Sequence, residues 1–298
     1  MILGRGLIAT AVFSFAFAAG AVQASQGHPP SVPLLEVRSV SQSVHVSGDP
    51  VDIYYPDPDG SAAGYRFPVV VYLQGANVDK KYYSQFGQQL ASYGFIVAIP
   101  NHPRLFTAAT VLTEVFEHLK RQDIDSDSPL NGIVDTQTLV ASGHSFGGTT
   151  VFAALNNICF GCDAGEVFER PPELKAAVIT ASNPGVLDIQ NQGIPTAIIV
   201  GSFNQRQDVY LQSYENIKHP RAFMVVDGAD HFGMADINEP PGALFSDEEP
   251  PQTIPQSVTS TRFAHWAGQF LRAWLYYDWL AWWSIQSGGD DFVSTTTD

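Results

Sequence analysis

Ser145 stands in Gly143-His144-Ser145-Phe146-Gly147, a serine flanked by glycines two positions before and two after. An apolar, β-branched run, Thr138-Leu-Val-Ala, leads into it and a helix-like stretch, Thr149 to Asn156, follows. Strand, glycine-flanked serine and helix in this order suit a nucleophile of acyl transfer. The turn must be too tight for bulky neighbours, and a hydroxyl at the start of a helix gains from the dipole as negative charge develops on it. As a bare five-residue string the pattern arises by chance, and a passive serine in a glycine-rich turn is the plain alternative. Its place between a strand and a helix favours the chemical reading.

A serine hydroxyl becomes a nucleophile only beside a base. Ala222-Phe-Met-Val-Val-Asp-Gly-Ala-Asp-His231-Phe-Gly puts a histidine just past a strand and a glycine turn, at the sheet edge where Ser145 is expected. The other histidines fit less well: His144 lies inside the turn and points away from the hydroxyl, His265 falls on a helix near the C-terminus, and His102 follows an earlier strand. An oxyanion needs two backbone N–H donors, one from the residue after the nucleophile and one from an early strand-to-loop turn. Phe146 supplies the first. Val69-Val-Val-Tyr-Leu-Gln-Gly-Ala-Asn77 is a strand ending in Gln-Gly, which makes Ala76 the second.

These residues need a sheet to hold them. Short apolar runs at Val51–Tyr55, Pro68–Leu73, Phe95–Ile99, Thr138–Ala141, Ala176–Thr180, Thr196–Val200 and Ala222–Val226 read as strands. Helix-like stretches at Tyr82–Tyr93, Ala108–Leu119 and Thr149–Asn156 alternate with them, so an α/β architecture with a mainly parallel sheet covered on both faces is expected. From Val258 to Trp283 the spacing of Phe263, Trp266, Phe270, Trp274, Tyr277 and Ala281 predicts one long helix packed on the sheet. Trp279, Trp282 and Trp283 lie partly off that stripe and mark an exposed apolar patch or a contact surface.

Composition limits the rest. The chain has 298 residues, 45% of them apolar, enough for a large core. Its net charge of −15 argues against nucleic acid and against anionic membrane surfaces as partners. Arg5, an apolar run from Leu7 to Val22 and small residues at Val22-Gln23-Ala24 resemble a secretory signal, predicting cleavage after Ala24, a flexible lead-in over 25–33, one domain over 34–298, and a secreted or periplasmic product. The run is short for a membrane span, so no stable anchor is expected. Cys159 and Cys162 are the only cysteines; in an exported protein they predict a short-loop disulfide, since a zinc site wants four ligands.

Phe67-Pro-Val-Val-Val-Tyr-Leu-Gln-Gly75, Leu90-Ala-Ser-Tyr-Gly-Phe-Ile-Val97, Gly143-His-Ser-Phe-Gly-Gly148 and Val226-Asp-Gly-Ala-Asp-His-Phe-Gly233 together resemble bacterial α/β-hydrolases related to platelet-activating-factor acetylhydrolase and chlorophyllase, with cutinase-like polyester hydrolases more distant. The resemblance implies the α/β-hydrolase fold and hydrolysis of a small-molecule or lipid carboxyl ester with no metal or organic cofactor. Gln74 stands where these relatives more often have His. They also place the acid that orients the histidine three residues beyond the glycine ending the Thr196–Val200 strand, and here that residue is Asn204. Asp208, four residues later, is the expected acid if its loop folds back, with Asp188 after the preceding strand as the alternative; Asp230, adjacent to His231, is badly placed. The same amide motivates a different reading, a catalytically lapsed binding protein on this scaffold. A lipid or polyester hydrolase acting at an interface is the alternative within the enzymes.

Overall fold

The computed structural model describes residues 34–101, 105–184, 190–205, 207–244 and 252–297. One ten-stranded sheet runs through them in the order β1-β2-β4-β3-β5-β6-β7-β8-β10-β9. The strands are β1 Val37–Ser43, β2 Pro50–Pro56, β3 Phe67–Leu73, β4 Ile96–Pro100, β5 Val134–His144, β6 Leu174–Thr180, β7 Thr196–Gly201, β8 Arg221–Val226, β9 Gly289–Asp290 and β10 Val293–Thr297. The six central strands from β4 to β8 are mutually parallel, with antiparallel strands at both edges. This is the α/β-hydrolase fold that the motifs imply. Parallel pairing needs helical crossovers, so every central strand is covered twice and must be apolar on both faces. Along β3, Val69, Val71 and Leu73 enter one core while Val70 and Tyr72 enter the other.

Helices α2 Thr110–Ile124, α3 Phe146–Leu155 and α4 Gln207–Asn216 pack on the first face. Helices α1 Ser84–Ser92, α5 Gln256–Leu275 and α6 Trp279–Gln286 pack on the second. The single long helix expected at the C-terminus is therefore two. Tyr277 takes a positive φ of 52°, and Asp278 accepts N–H bonds from Leu280 and Ala281, so one residue ends the first helix and the next caps the second. A buried ion pair from Arg272 Nε to Asp278 Oδ2 at 2.9 Å fixes the corner. Phe263, Trp266, Phe270 and Ala281 of the expected stripe enter the core, but Tyr277, expected on it, is exposed at the corner and Tyr276 is buried instead; both helices cover the same core, which is why spacing alone hid the break. Polar, weakly patterned β1, β9, β10 and α4 gave no readable signal either. The expected exposed aromatic patch is present: Trp279, Trp282, Trp283 and Phe292 are all exposed.

Candidate active site

Strand β5 ends at His144, and Ser145 turns the chain into α3 with φ 52° and ψ −121°. L-residues rarely adopt such a backbone, and one persists only where the surroundings over-determine it. Here they do. A Cβ on Gly143 would lie 2.6 Å from the Gly147 carbonyl carbon, and one on Gly147 would lie 2.3 Å from the Leu73 carbonyl oxygen. The strand end, the first turn of α3 and the end of β3 thus meet backbone to backbone. The Ser145 N–H donates to the Thr180 carbonyl at 3.1 Å, tying the turn to β6.

Ala76 lines a small notch together with Ser145, and Phe146 directly follows Ser145 at the start of α3. The notch, of about 10 Å³, the size of one water, is lined by Gly75, Ala76, Ser145 and His231. Among the described residues no backbone partner is found for the Ala76 N–H, and Phe146 is the first residue of α3. Beyond Ser145 and His231 a cavity of about 350 Å³ continues, walled by Phe146, Thr149, Phe160, Ser182, Pro184 and Tyr210. Phe160 sits between Cys159 and Cys162, which are joined by a disulfide as expected. Phe106 bridges the Phe146 and Phe160 rings at centroid distances of 4.5 and 5.9 Å.

His231 follows β8, and burial pushes its pKa down to about 4. Its carbonyl accepts a bond from His144 Nε2 at 2.9 Å. The buried ring of His144 also meets Tyr83 Oη through Nδ1 at 2.9 Å, and Tyr83 Oη accepts the Gly75 N–H at 3.0 Å. A carbonyl can only accept, so Nε2 of His144 carries the hydrogen, Nδ1 is the acceptor and Tyr83 donates to it. Burial keeps His144 neutral, its pKa lying well below the usual histidine value. The chain Gly75–Tyr83–His144–His231 thus joins the Ala76 turn to the His231 turn beneath Ser145. The sequence pattern correctly turned His144 away from the hydroxyl; it missed Tyr83, whose type and spacing carry no local signal.

The acid expected from the sequence, Asp208, does not reach the imidazole. Asp208 is exposed in the first turn of α4, because the helix begins at Gln207 and carries the chain outward instead of letting it fold back. The group at His231 is Asn204, whose Nδ2 lies 3.2 Å from Nδ1 of the ring. A Cβ on Gly201 would lie 2.2 Å from the Ala229 carbonyl oxygen, so the end of β7 runs directly under the His231 turn. The N–H of Phe203 then donates to Ala229 at 2.9 Å, which delivers the residue three beyond Gly201 to the imidazole. Asp230 accepts the Phe232 N–H at 2.9 Å and serves its own turn. Gln74 is buried and bonds Asn101 at 3.3 Å. Asp188, His102 and the leader, residues 1–33, lie outside the described residues.

Comparison with known proteins agrees with the motifs. The chlorophyllase family profile matches residues 17–164, a stretch that holds the Ala76 turn and Ser145 but ends before Asn204 and His231. Two curated relatives are chlorophyllase-1, chloroplastic, from Citrus unshiu and from Citrus sinensis. Each is 29% identical over 141 residues, 45% of this chain and 41% of the relative. The chain therefore spans about two fifths of the length of the curated relatives it matches.

Proposed function

For a chain that has the α/β-hydrolase fold and resembles the chlorophyllases, we propose hydrolysis of carboxyl esters through a covalent acyl-serine at Ser145. The observation that carries this reading is the positive-φ backbone of Ser145, held open onto a notch shared with His231 and Ala76. Ser145 Oγ attacks the ester carbonyl and its proton passes to Nε2 of His231. The N–H groups of Ala76 and Phe146 take the charge of the tetrahedral oxyanion. Its collapse returns the proton to the leaving alkoxide and releases the alcohol. Water then attacks the acyl-enzyme with His231 again as base, freeing the acid.

A cavity of about 350 Å³ is at the small end of ordinary ligand sites and suits a short acyl or alcohol group. The exposed Trp279, Trp282 and Trp283 support a second reading, in which the ester is met at a lipid or polymer surface. Export from the cytoplasm is part of the proposal, supported by the Arg5 to Ala24 leader pattern and by the Cys159–Cys162 bridge. Turnover of p-nitrophenyl esters from acetate to palmitate, by the mature protein and by Ser145→Ala, tests it. Hydrolysis of dissolved short esters that is lost in Ser145→Ala is the expected result. Turnover that starts only above the solubility limit would favour the surface reading, and equal turnover in both proteins would end the assignment to Ser145.

A further inference from the structure

Resting on the esterase reading, we infer that Asn204 holds His231 in the tautomer unable to take the Ser145 proton, so that the site works far below its own ceiling. A carboxylate at position 204 would lift that limit. The Asn204 amide can face only one way. Its Oδ1 accepts the Gly201 N–H at 2.8 Å, a bond that an NH₂ group in the same place would lose. The orientation is therefore fixed, and the group left facing His231 Nδ1 at 3.2 Å is Nδ2, which only donates. An imidazole nitrogen that accepts a hydrogen bond carries no hydrogen, so the neutral ring bears its hydrogen on Nε2.

The first chemical step feels this directly. Nε2 with a hydrogen already on it can donate to Ser145 but cannot accept from it. Moving that hydrogen to Nδ1 frees Nε2, at the cost of setting N–H against N–H at Asn204. The imidazolium formed in the transition state meets the same opposition, where a carboxylate would attract it. Two described neighbours do not supply that attraction: the His144 ring, 4.8 Å away between centroids, is neutral, and the Asp230 carboxylate is turned to the Phe232 N–H. Asn204 itself is almost wholly buried, so solvent does not soften the contact.

Asn204→Asp is the informative change because it is isosteric and keeps an acceptor for the Gly201 N–H. Two readouts are taken on histidine-¹⁵N-labelled wild type and variant: the tautomer of His231 from long-range ¹H–¹⁵N correlations, and kcat, KM and pH profile on p-nitrophenyl acetate. The expected result is Nε2–H in wild type and Nδ1–H in Asn204→Asp. kcat should rise by about a hundredfold or more, part of the ~10⁴ that the reverse substitution costs in a serine protease triad, with KM nearly unchanged. The acid limb of the profile should move to higher pH, because a carboxylate stabilises the imidazolium that burial disfavours. A wild-type ring found as Nδ1–H overturns the inference, as does a collapse of wild-type kcat in Asp188→Asn, which would show that a carboxylate already serves the ring. Equal kcat in wild type and Asn204→Asp, with hydrolysis lost in Ser145→Ala, also overturns it and leaves the esterase reading standing. No hydrolysis by either protein, with the tautomer switch observed, ends the esterase reading and upholds the assignment of the ring.

Discussion

The turn at Ser145 and the turn after β7 are built the same way and differ in what they deliver. At each, a glycine in the last two residues of a strand is pressed against another backbone: Gly143 against Gly147, Gly201 against Ala229. At each, the next few residues are held by bonds to a neighbouring turn, Ser145 to Thr180 and Phe203 to Ala229. The first turn presents a hydroxyl, which the proposed role of nucleophile requires. The second presents an amide where the role of orienting an imidazolium asks for a carboxylate. Position is set by backbone packing and survives a change of side chain, whereas chemistry rests on one atom of that side chain. On the proposed mechanism, such a site would keep its full geometry while its rate is held low.

The sharpest way to break the comparison is to disturb the backbone of one turn. Gly147→Ala sets a methyl group 2.3 Å from Leu73 O and 2.6 Å from Gln74 O, both backbone atoms that cannot swing aside. Overpacking of this kind costs upward of about 2 kcal/mol. At roughly 2–4 °C per kcal/mol for a chain of this size class, a melting curve should fall by about 5 °C or more, with ester turnover lost altogether.

A smaller effect is expected at the cavity wall. Cys159→Ser removes the bridge that holds Phe160 in place. Closing so short a loop contributes at most about 2 kcal/mol on the chain-entropy account. KM for the preferred ester should rise while kcat on acetate holds, since Ser145 and His231 are untouched. Unchanged KM across the ester series would remove Phe160 from the wall that selects substrate.

The smallest effect belongs to the residue that the sequence pattern favoured as the acid. Asp208→Asn should leave kcat within about twofold of wild type, in keeping with the near-neutral behaviour of exposed positions away from special features. A thousandfold fall in the same assay would mean that α4 unwinds at its first turn in the working enzyme and that Asp208 reaches His231 after all.

What the sequence made legible follows the same division. The central strands could be read because burial on two faces demands continuous apolar runs, and the Ser145 turn because its glycines are forced by close backbone approach. The edge strands β9 and β10, Gly289–Asp290 and Val293–Thr297, escaped because an edge tolerates polar side chains and this one is mostly threonine and serine. Charge alone favours Asp208 over Asn204, and only the start of α4 at Gln207 shows that the chain turns away before Asp208 can return. The Tyr83–His144 link could not have been found, because its members lie 61 residues apart and meet only when the Gly75 turn and the Ser145 turn are brought together.

Covalent acylation of Ser145 is the central claim, and a fluorophosphonate tests it whatever ester the protein cleaves. The mature protein and Asn204→Asp are incubated with the reagent, weighed intact, digested and mapped, with Ser145→Ala as the control. One adduct per chain is expected, on Ser145, forming faster in Asn204→Asp and absent from Ser145→Ala. An adduct that persists in Ser145→Ala, or none in either of the other two proteins, would contradict the claim.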